Sequence, residues 1–340
     1  MEFLYEYGLF LAKAVTIIVS LIVIIGLIAG SALKGKSSRK GELHVENLSE
    51  ERALDLDDVN RLLLSKDELK EHEKQLKKEN KKKKSSPEKI KPKLFVIDFN
   101  GDVDASQVET FREEITTVLS IAKENDEVLI NLESPGGVVH GYGLAASQIA
   151  RLKQAGIKTT ASVDKVAASG GYMMACVADK IIAAPFAIIG SIGVVAQLPN
   201  INRLLKRYDV DIEQHTAGNF KRTLTVLGEN TDEGREKFKE ELAETHVLFK
   251  EFVSENRPDV DIEQVATGEH WYATQAVDKH LVDAIQTSDD FILNALKDYQ
   301  LFKIEYKIKQ NVAEKLGLAA AASFSKVLGK LSTWSLTHSK

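Results

Sequence analysis

The chain has 340 residues and a mass of 37.6 kDa, enough to bury a sizeable core in one large domain or two smaller ones. Its 45 Lys and Arg against 50 Asp and Glu give a formal net charge of -5, which removes any whole-protein case for nucleic-acid binding. The single cysteine, Cys176, excludes an internal disulfide and any multi-cysteine zinc or iron-sulfur site.

From Ala14 to Leu33 run 20 residues without a charge, with only Thr16, Ser20 and Ser31 polar. As a helix rising about 1.5 Å per residue they reach about 30 Å, the thickness of the hydrocarbon layer. The run predicts a retained membrane anchor over residues 1–40, closing in the basic flank Lys34, Lys36, Arg39 and Lys40. A cleaved signal peptide competes, because Ala29, Gly30, Ser31 and Ala32 are small. Against it, the run is long for such a peptide and Glu2 and Glu6 precede it. Residues 41–92 read as a stalk, helical from about Leu48 to Asn80, with a partial apolar stripe through Leu54, Leu56, Val59, Leu62, Leu63, Leu64 and Leu69. Lys81–Lys84, Ser85, Ser86 and Pro87 then make a linker. Residues 74–93 hold ten lysines against Glu79 and Glu88, a solubilising tether or a patch for anionic lipid.

The catalytic domain is read as 93–305, with a basic amphipathic tail over 306–340. Leu94–Phe99, Glu127–Leu132, Thr159–Val163 and Lys180–Ala183 predict strands. Gln107–Lys123, Tyr142–Gln154, Ser169–Val177 and Thr231–Glu255 predict helices, the last with an apolar face of Phe238, Leu242, Phe249 and Phe252. This alternation belongs to an α/β domain with covered sheet faces. Between Lys180 and Arg203 lie 22 uncharged residues, but Pro185, Gly190, Gly193, Pro199 and Asn200 break a helix, so short strands and turns are expected there instead of a second membrane crossing.

Glycine clusters mark the chemistry. Glu133-Ser134-Pro135-Gly136-Gly137 follows a strand and precedes a helix, a setting for backbone N-H groups aimed into a cavity or for a plain tight turn. Val166-Ala167-Ala168-Ser169-Gly170-Gly171-Tyr172 puts a serine at the mouth of a helix among small side chains. It is open to attack an electrophile or, as the bland alternative, caps the helix. The G-x-S-x-G elbow does not fit, since Ala167 occupies the first glycine position. No histidine among His140, His215, His246, His270, His280 and His338 is singled out by a carboxylate. A neutral lysine can serve as base instead, and Lys221, with no acidic residue for several positions on either side, is one candidate among many.

These motifs resemble the SohB branch of the signal peptide peptidase A family, membrane-bound serine proteases with a Ser-Lys dyad on a crotonase-like or ClpP-like α/β scaffold. The resemblance covers nearly the whole chain. Asp164 to Tyr172 matches the nucleophile motif, Gly190-Ser191-Ile192-Gly193-Val194 the next motif, and Gly218-Asn219-Phe220-Lys221-Arg222 the lysine motif, 52 residues beyond the serine. It implies Ser169 as nucleophile, Lys221 as general base and acid, Ser191 orienting the lysine, and Gly136 and Gly170 forming the oxyanion hole. Thr267-Gly268-Glu269-His270 departs from the pattern, with Glu269 or His270 where many members carry an arginine.

The implied activity is endoproteolysis of signal peptides or of membrane-associated and misfolded proteins, with no cofactor or metal. The expected partners are peptide or unfolded substrates, membrane lipid and further copies of the chain, with no nucleic acid. The expected location is a bacterial inner membrane, spanned once. The catalytic domain is periplasmic by resemblance and cytoplasmic by the charges flanking the anchor. The alternatives are a catalytically silent membrane scaffold and a crotonase-type acyl-CoA enzyme.

Overall fold

A computed structural model describes residues 6–10, 13, 16, 41–65, 67–72, 74 and 91–308. Leu43–Tyr306 forms one compact unit. In chain order its elements are β1 (Gly41–Asn47), α1 (Leu48–Leu63), β2 (Lys93–Asn100), α2 (Val108–Ile121), β3 (Glu127–Glu133), α3 (Val139–Gln154), β4 (Lys158–Val163), β5 (Val166–Ala168) and α4 (Gly170–Ala175). There follow β6 (Lys180–Ala183), β7 (Ile188–Gly190), α5 (Asn202–Arg207), α6 (Asp232–Asn256), α7 (Ile262–Val265), β8 (His270–Tyr272), α8 (Ala273–Ala276), β9 (Ala284–Ile285), α9 (Ser288–Ala295) and β10 (Gln300–Ile308).

The main sheet has the order β1-β10-β2-β3-β4-β6-β9, and from β10 to β9 every neighbouring pair is parallel. Alternation along β2 sends its side chains to two cores. Phe95, Ile97 and Phe99 join the large cluster with Phe111, Ile115 and Val118 of α2 and Tyr142 and Ile149 of α3. Leu94 and Val96 face the other way, onto Leu129 and Leu301, with Leu48 at the start of α1 and Phe291 and Ile292 of α9 packed against them. Burial on both faces is why β2 and β3 read as nearly unbroken apolar runs.

A second sheet, β5-β7-β8, stands at the carboxyl end of β3. The chain leaving β3 continues into it: the Ser134 N-H donates to the Val166 carbonyl at 2.8 Å, and the Ala168 N-H to the Ser134 carbonyl at 3.0 Å. The Ser169 turn therefore hangs from the end of a central parallel strand, where open α/β sheets place their ligands. Lys180–Arg203 holds two short strands, β6 and β7, a turn at Pro185 and then irregular chain up to α5, in keeping with its Pro and Gly spacing.

Two expectations are corrected. The helix expected from Leu48 stops at Leu63 with no fully buried residue, so Leu54, Leu56, Leu62 and Leu63 form no packed stripe. Ser65 then starts a new helical piece over 67–72, its N-H and hydroxyl both bonded to Glu68. The membrane anchor is the second. Among the described residues no helix is long and apolar enough to cross a membrane, and the run from Ala14 to Leu33, Thr16 apart, lies outside the described residues. The described helix with the necessary length, α6 at 25 residues, is studded with Glu and Lys. The single-pass inner-membrane location, the membrane-bound form of the activity and lipid as a partner rested on that anchor and find no support among the described residues.

Candidate active site

Ser169 links β5 to α4, and its backbone is forced. The Ser169 N-H donates to the Gly190 carbonyl at 2.8 Å, extending the β5-β7 pairing by one residue, and its carbonyl accepts from the Met173 N-H at 2.9 Å, starting the helix. Meeting both demands puts Ser169 at φ 52 and ψ -118, a region that costs a non-glycine residue about 1–3 kcal/mol. Although Ser169 occupies the N-cap position, its side chain makes no capping bond, so the helix-cap reading of this serine does not hold. At the start of α4 the Gly170 N-H has no acceptor inside the helix. A Cβ on Gly170 would lie 2.4 Å from the Tyr142 ring, so the close seat of the turn on α3 admits only glycine.

The Gly136 turn presses against the same point. Gly136 has φ +90, and a Cβ there would stand 2.7 Å from both the Ala168 carbonyl oxygen and the Ser169 Cβ. Beneath it runs a chain of hydrogen bonds in one direction. The Gly136 N-H donates to Ser134 Oγ at 3.1 Å, and the Tyr142 hydroxyl donates to the Asp102 carbonyl at 2.7 Å. Because the Tyr142 proton is thus used, the 2.5 Å contact between Ser134 Oγ and Tyr142 Oη must have the serine as donor. Burial, outweighing the Ser134 contact, raises the Tyr142 pKa, which keeps this chain neutral and intact. Ser134 and Tyr142 were not picked out from the sequence; their signal was the position of one in the Pro-Gly-Gly turn and of the other in His140-Gly141-Tyr142-Gly143.

Ser169, Gly136, Gly170 and Ser191 all line one cleft of about 810 Å³. Val138, Val139, Met173 and Phe249 supply apolar wall, and one side is α6, through Thr245, His246 and Phe249. Ser191 is held at φ 53, with its N-H on the Glu269 carbonyl at 2.7 Å. The segment where Glu269 and His270 replace an expected arginine is thus the β8 edge that fixes Ser191, and the Glu269 carboxylate accepts from the Thr267 hydroxyl at 2.7 Å. Helix α6 is anchored at its far end by Arg257, which pairs with Asp283 at 2.6 Å. Asp283 also accepts from the Ile181 N-H; burial opposes its ionisation, but Arg257 and that N-H together hold its pKa low.

Lys221 is not brought to this cleft. It is exposed and is not among the lining residues, and it sits on an arm between α5 and α6 whose residues 206–222 are all exposed. The base of the arm is fastened. Asn200 Nδ2 donates to the Thr225 and Gly228 carbonyls at 2.9 and 3.0 Å, Asn202 Nδ2 donates to the Leu227 carbonyl at 2.8 Å, and Lys206 pairs with Glu229 at 2.8 Å. Near the tip, Phe220 lies 5.7 Å under the Lys237 ammonium of α6. His246, set aside in the sequence with the other histidines, is in the cleft instead. His140 is exposed at the start of α3, and among the described residues no cluster of three His, Cys, Asp or Glu could hold a metal ion.

Comparison with known proteins agrees along almost the whole chain. It is 50% identical over 347 aligned residues to the "Probable protease SohB" of Haemophilus influenzae, covering 98% of this chain and 97% of that protein. It is 56% identical over 241 residues to the protein of the same name from Buchnera aphidicola subsp. Acyrthosiphon pisum, covering 71% and 72%. Among solved structures it is similar to two mutants of the 1510-N membrane-bound stomatin-specific protease, one of them in complex with a substrate peptide. Their TM-scores are 0.41 and 0.42 at 14% and 13% identity, over 60% and 66% of this chain and 84% and 96% of theirs. Neither of the two names the crotonase-like or ClpP-like scaffold that was expected. The description "Peptidase family S49 N-terminal" matches residues 2–149 and "Peptidase family S49" residues 151–301, so that the Ser134-Gly136 turn falls in the first and the Ser169 turn in the second. A chain so covered belongs to peptidase family S49 and is a serine-type endopeptidase of the SohB kind.

Proposed function

We propose that this endopeptidase cuts extended polypeptide through an acyl-enzyme on Ser169, with Lys221 carrying the proton. The observation behind the assignment is the Ser169 turn itself: a strained serine whose hydroxyl caps nothing, on the wall of a cleft, beside the open N-H of Gly170. Ser169 Oγ attacks the scissile carbonyl carbon and its proton passes to the neutral Lys221 amine. The oxyanion takes the Gly170 N-H and, once the bond to Ser134 is exchanged for it, the Gly136 N-H. Lys221 then returns the proton to the leaving amine, and water attacks the ester by the same route. Ser191, on the cleft wall, orients the lysine.

For Lys221 to act, the arm must swing its tip over the cleft. The arrangement is suited to this, because the arm is tied at its base and its tip rests on α6, the helix that forms the cleft's side. Substrate lies as an added strand along Gly136 and Gly137, which makes recognition depend on extended backbone and leaves folded proteins poor substrates until locally unfolded. Acid quench during turnover of a peptide ester, followed by mass spectrometry, should find the acyl group on the peptide containing Ser169. Turnover with the acyl group on another residue, or with none, overturns the assignment.

A further inference from the structure

Of the buried side-chain polar atoms without a hydrogen-bond partner among the described residues, one belongs to a residue lining the cleft. His246 lines it from α6, and its Nε2 is buried yet has no hydrogen-bond partner. Leaving a buried polar atom unpaired forfeits its hydrogen bond to water, a loss that a bound ligand can recover by pairing it. The neighbouring Thr245 is already engaged, its hydroxyl donating to the Glu241 carbonyl at 2.8 Å. Apolar wall in the same cleft comes from Met173 and Phe249, both buried. Helix α6 is a firm platform, since Val253 is fully buried one turn beyond Phe249 and Arg257 is clamped to Asp283.

Resting on the Ser169 reading, we propose that His246 is a specificity residue, whose Nε2 hydrogen-bonds a polar side chain of the bound peptide in an otherwise apolar subsite. The subsite then prefers Asn or Thr over the apolar isosteres Leu or Val. A wholly apolar pocket separates side chains only weakly, whereas a group built to be hydrogen-bonded discriminates strongly against the substrate that cannot pair it. A role as the base that activates Ser169 is disfavoured. An imidazole base needs a third group to steady it, and no carboxylate lines the cleft among the described residues.

The test uses the full chain and peptide pairs that differ only as Asn/Leu or Thr/Val at each position flanking the cut bond. At one position wild type should favour the polar member at least about tenfold in kcat/KM. His246→Gln, whose amide nitrogen can stand for Nε2, should keep that ratio. His246→Leu and His246→Phe, the second retaining a ring in case the first fails to fold, should bring it to about 1. An unchanged ratio in His246→Phe overturns the inference. So does an equal loss on both peptides of every pair, which would make His246 part of the chemistry. Ser169→Ala, assayed on the same peptides, separates the two readings: if it still turns over, the Ser169 reading has failed, and if it is inactive while the ratio survives in His246→Phe, only the role of His246 has.

Discussion

Ser169 and Lys221 stand on opposite kinds of backbone. The serine sits between two buried short elements, with Ala167 and Gly170 inaccessible and its own N-H and carbonyl both bonded. Around the lysine, 17 consecutive residues from 206 to 222 are exposed, and the Lys221 N-H makes only a 3.2 Å turn bond to the Gly218 carbonyl. The first region holds a serine in strained geometry because its neighbours leave it no alternative, and the second leaves its lysine exposed on an arm fastened at its base. On the proposed mechanism the serine keeps its place and the reaction waits on the position of the lysine.

Ser169→Ala breaks the comparison at its rigid end. Turnover should fall by about 10⁴-fold or more with the melting temperature unchanged, because the hydroxyl caps nothing. A folded variant with near wild-type turnover in a continuous peptide assay would remove the nucleophile from this turn. Lys221→Ala tests the mobile end and should cost turnover about 10³-fold or more, again without loss of stability, since the side chain is exposed. Near-normal activity in that variant would mean that the arm does not deliver the base.

Gly136→Ala sharpens the contrast, because it disturbs the serine turn without replacing any reacting side chain. The added Cβ meets backbone at 2.7 Å on a residue with φ +90. Thermal unfolding should show a loss of about 2–4 kcal/mol, together with lower turnover. The equivalent change on the arm, Gly218→Ala, meets no atom within 4 Å and bears only the strain of φ +99, so it should cost about 1 kcal/mol. Equal losses at the two glycines would erase the distinction between the regions.

The last effect lies in the scaffold behind the serine, away from the chemistry. Glu114 on α2 is 2% exposed, with one carboxylate oxygen on the Tyr306 N-H at 2.8 Å and the other unpaired, and burial pushes its pKa up to about 7. The folded state therefore holds the proton more tightly than the unfolded chain. The stabilisation is fully present below about pH 4.5 and fades as pH rises through about 7. Denaturant titrations of Glu114→Gln should lose that slope and show the variant more stable than wild type above pH 7, by up to about 3 kcal/mol. Parallel pH dependences for the two proteins would place the slope elsewhere.

Much of the scaffold was legible because its residues answer to local rules. The unbroken apolar runs of β2 and β3 announce a sheet covered on both faces, and Pro185, Gly190 and Gly193 forbid a helix across the uncharged stretch that follows. Thr231, three residues before Gly234, marks the start of α6, where its hydroxyl accepts the Gly234 N-H at 3.0 Å. The anchor expectation, drawn from composition and length, found no support, since among the described residues no helix is long and apolar enough to cross a membrane. The apolar residues of α1 misled through their spacing, which suggests a stripe that the structure leaves exposed.

The sequence by itself determined that a serine among small residues follows a strand, that a Pro-Gly-Gly turn follows another, and which lysine motif accompanies them, since each is a short contiguous pattern. Only the tertiary structure decided that Gly136 touches Ser169, that Ser134, Tyr142 and Asp102 form one hydrogen-bonded chain beneath them, that His246 enters the cleft and that Lys221 stays outside it. Those relations join residues up to 110 positions apart, and no local propensity or period encodes a contact made across two sheets and a helix.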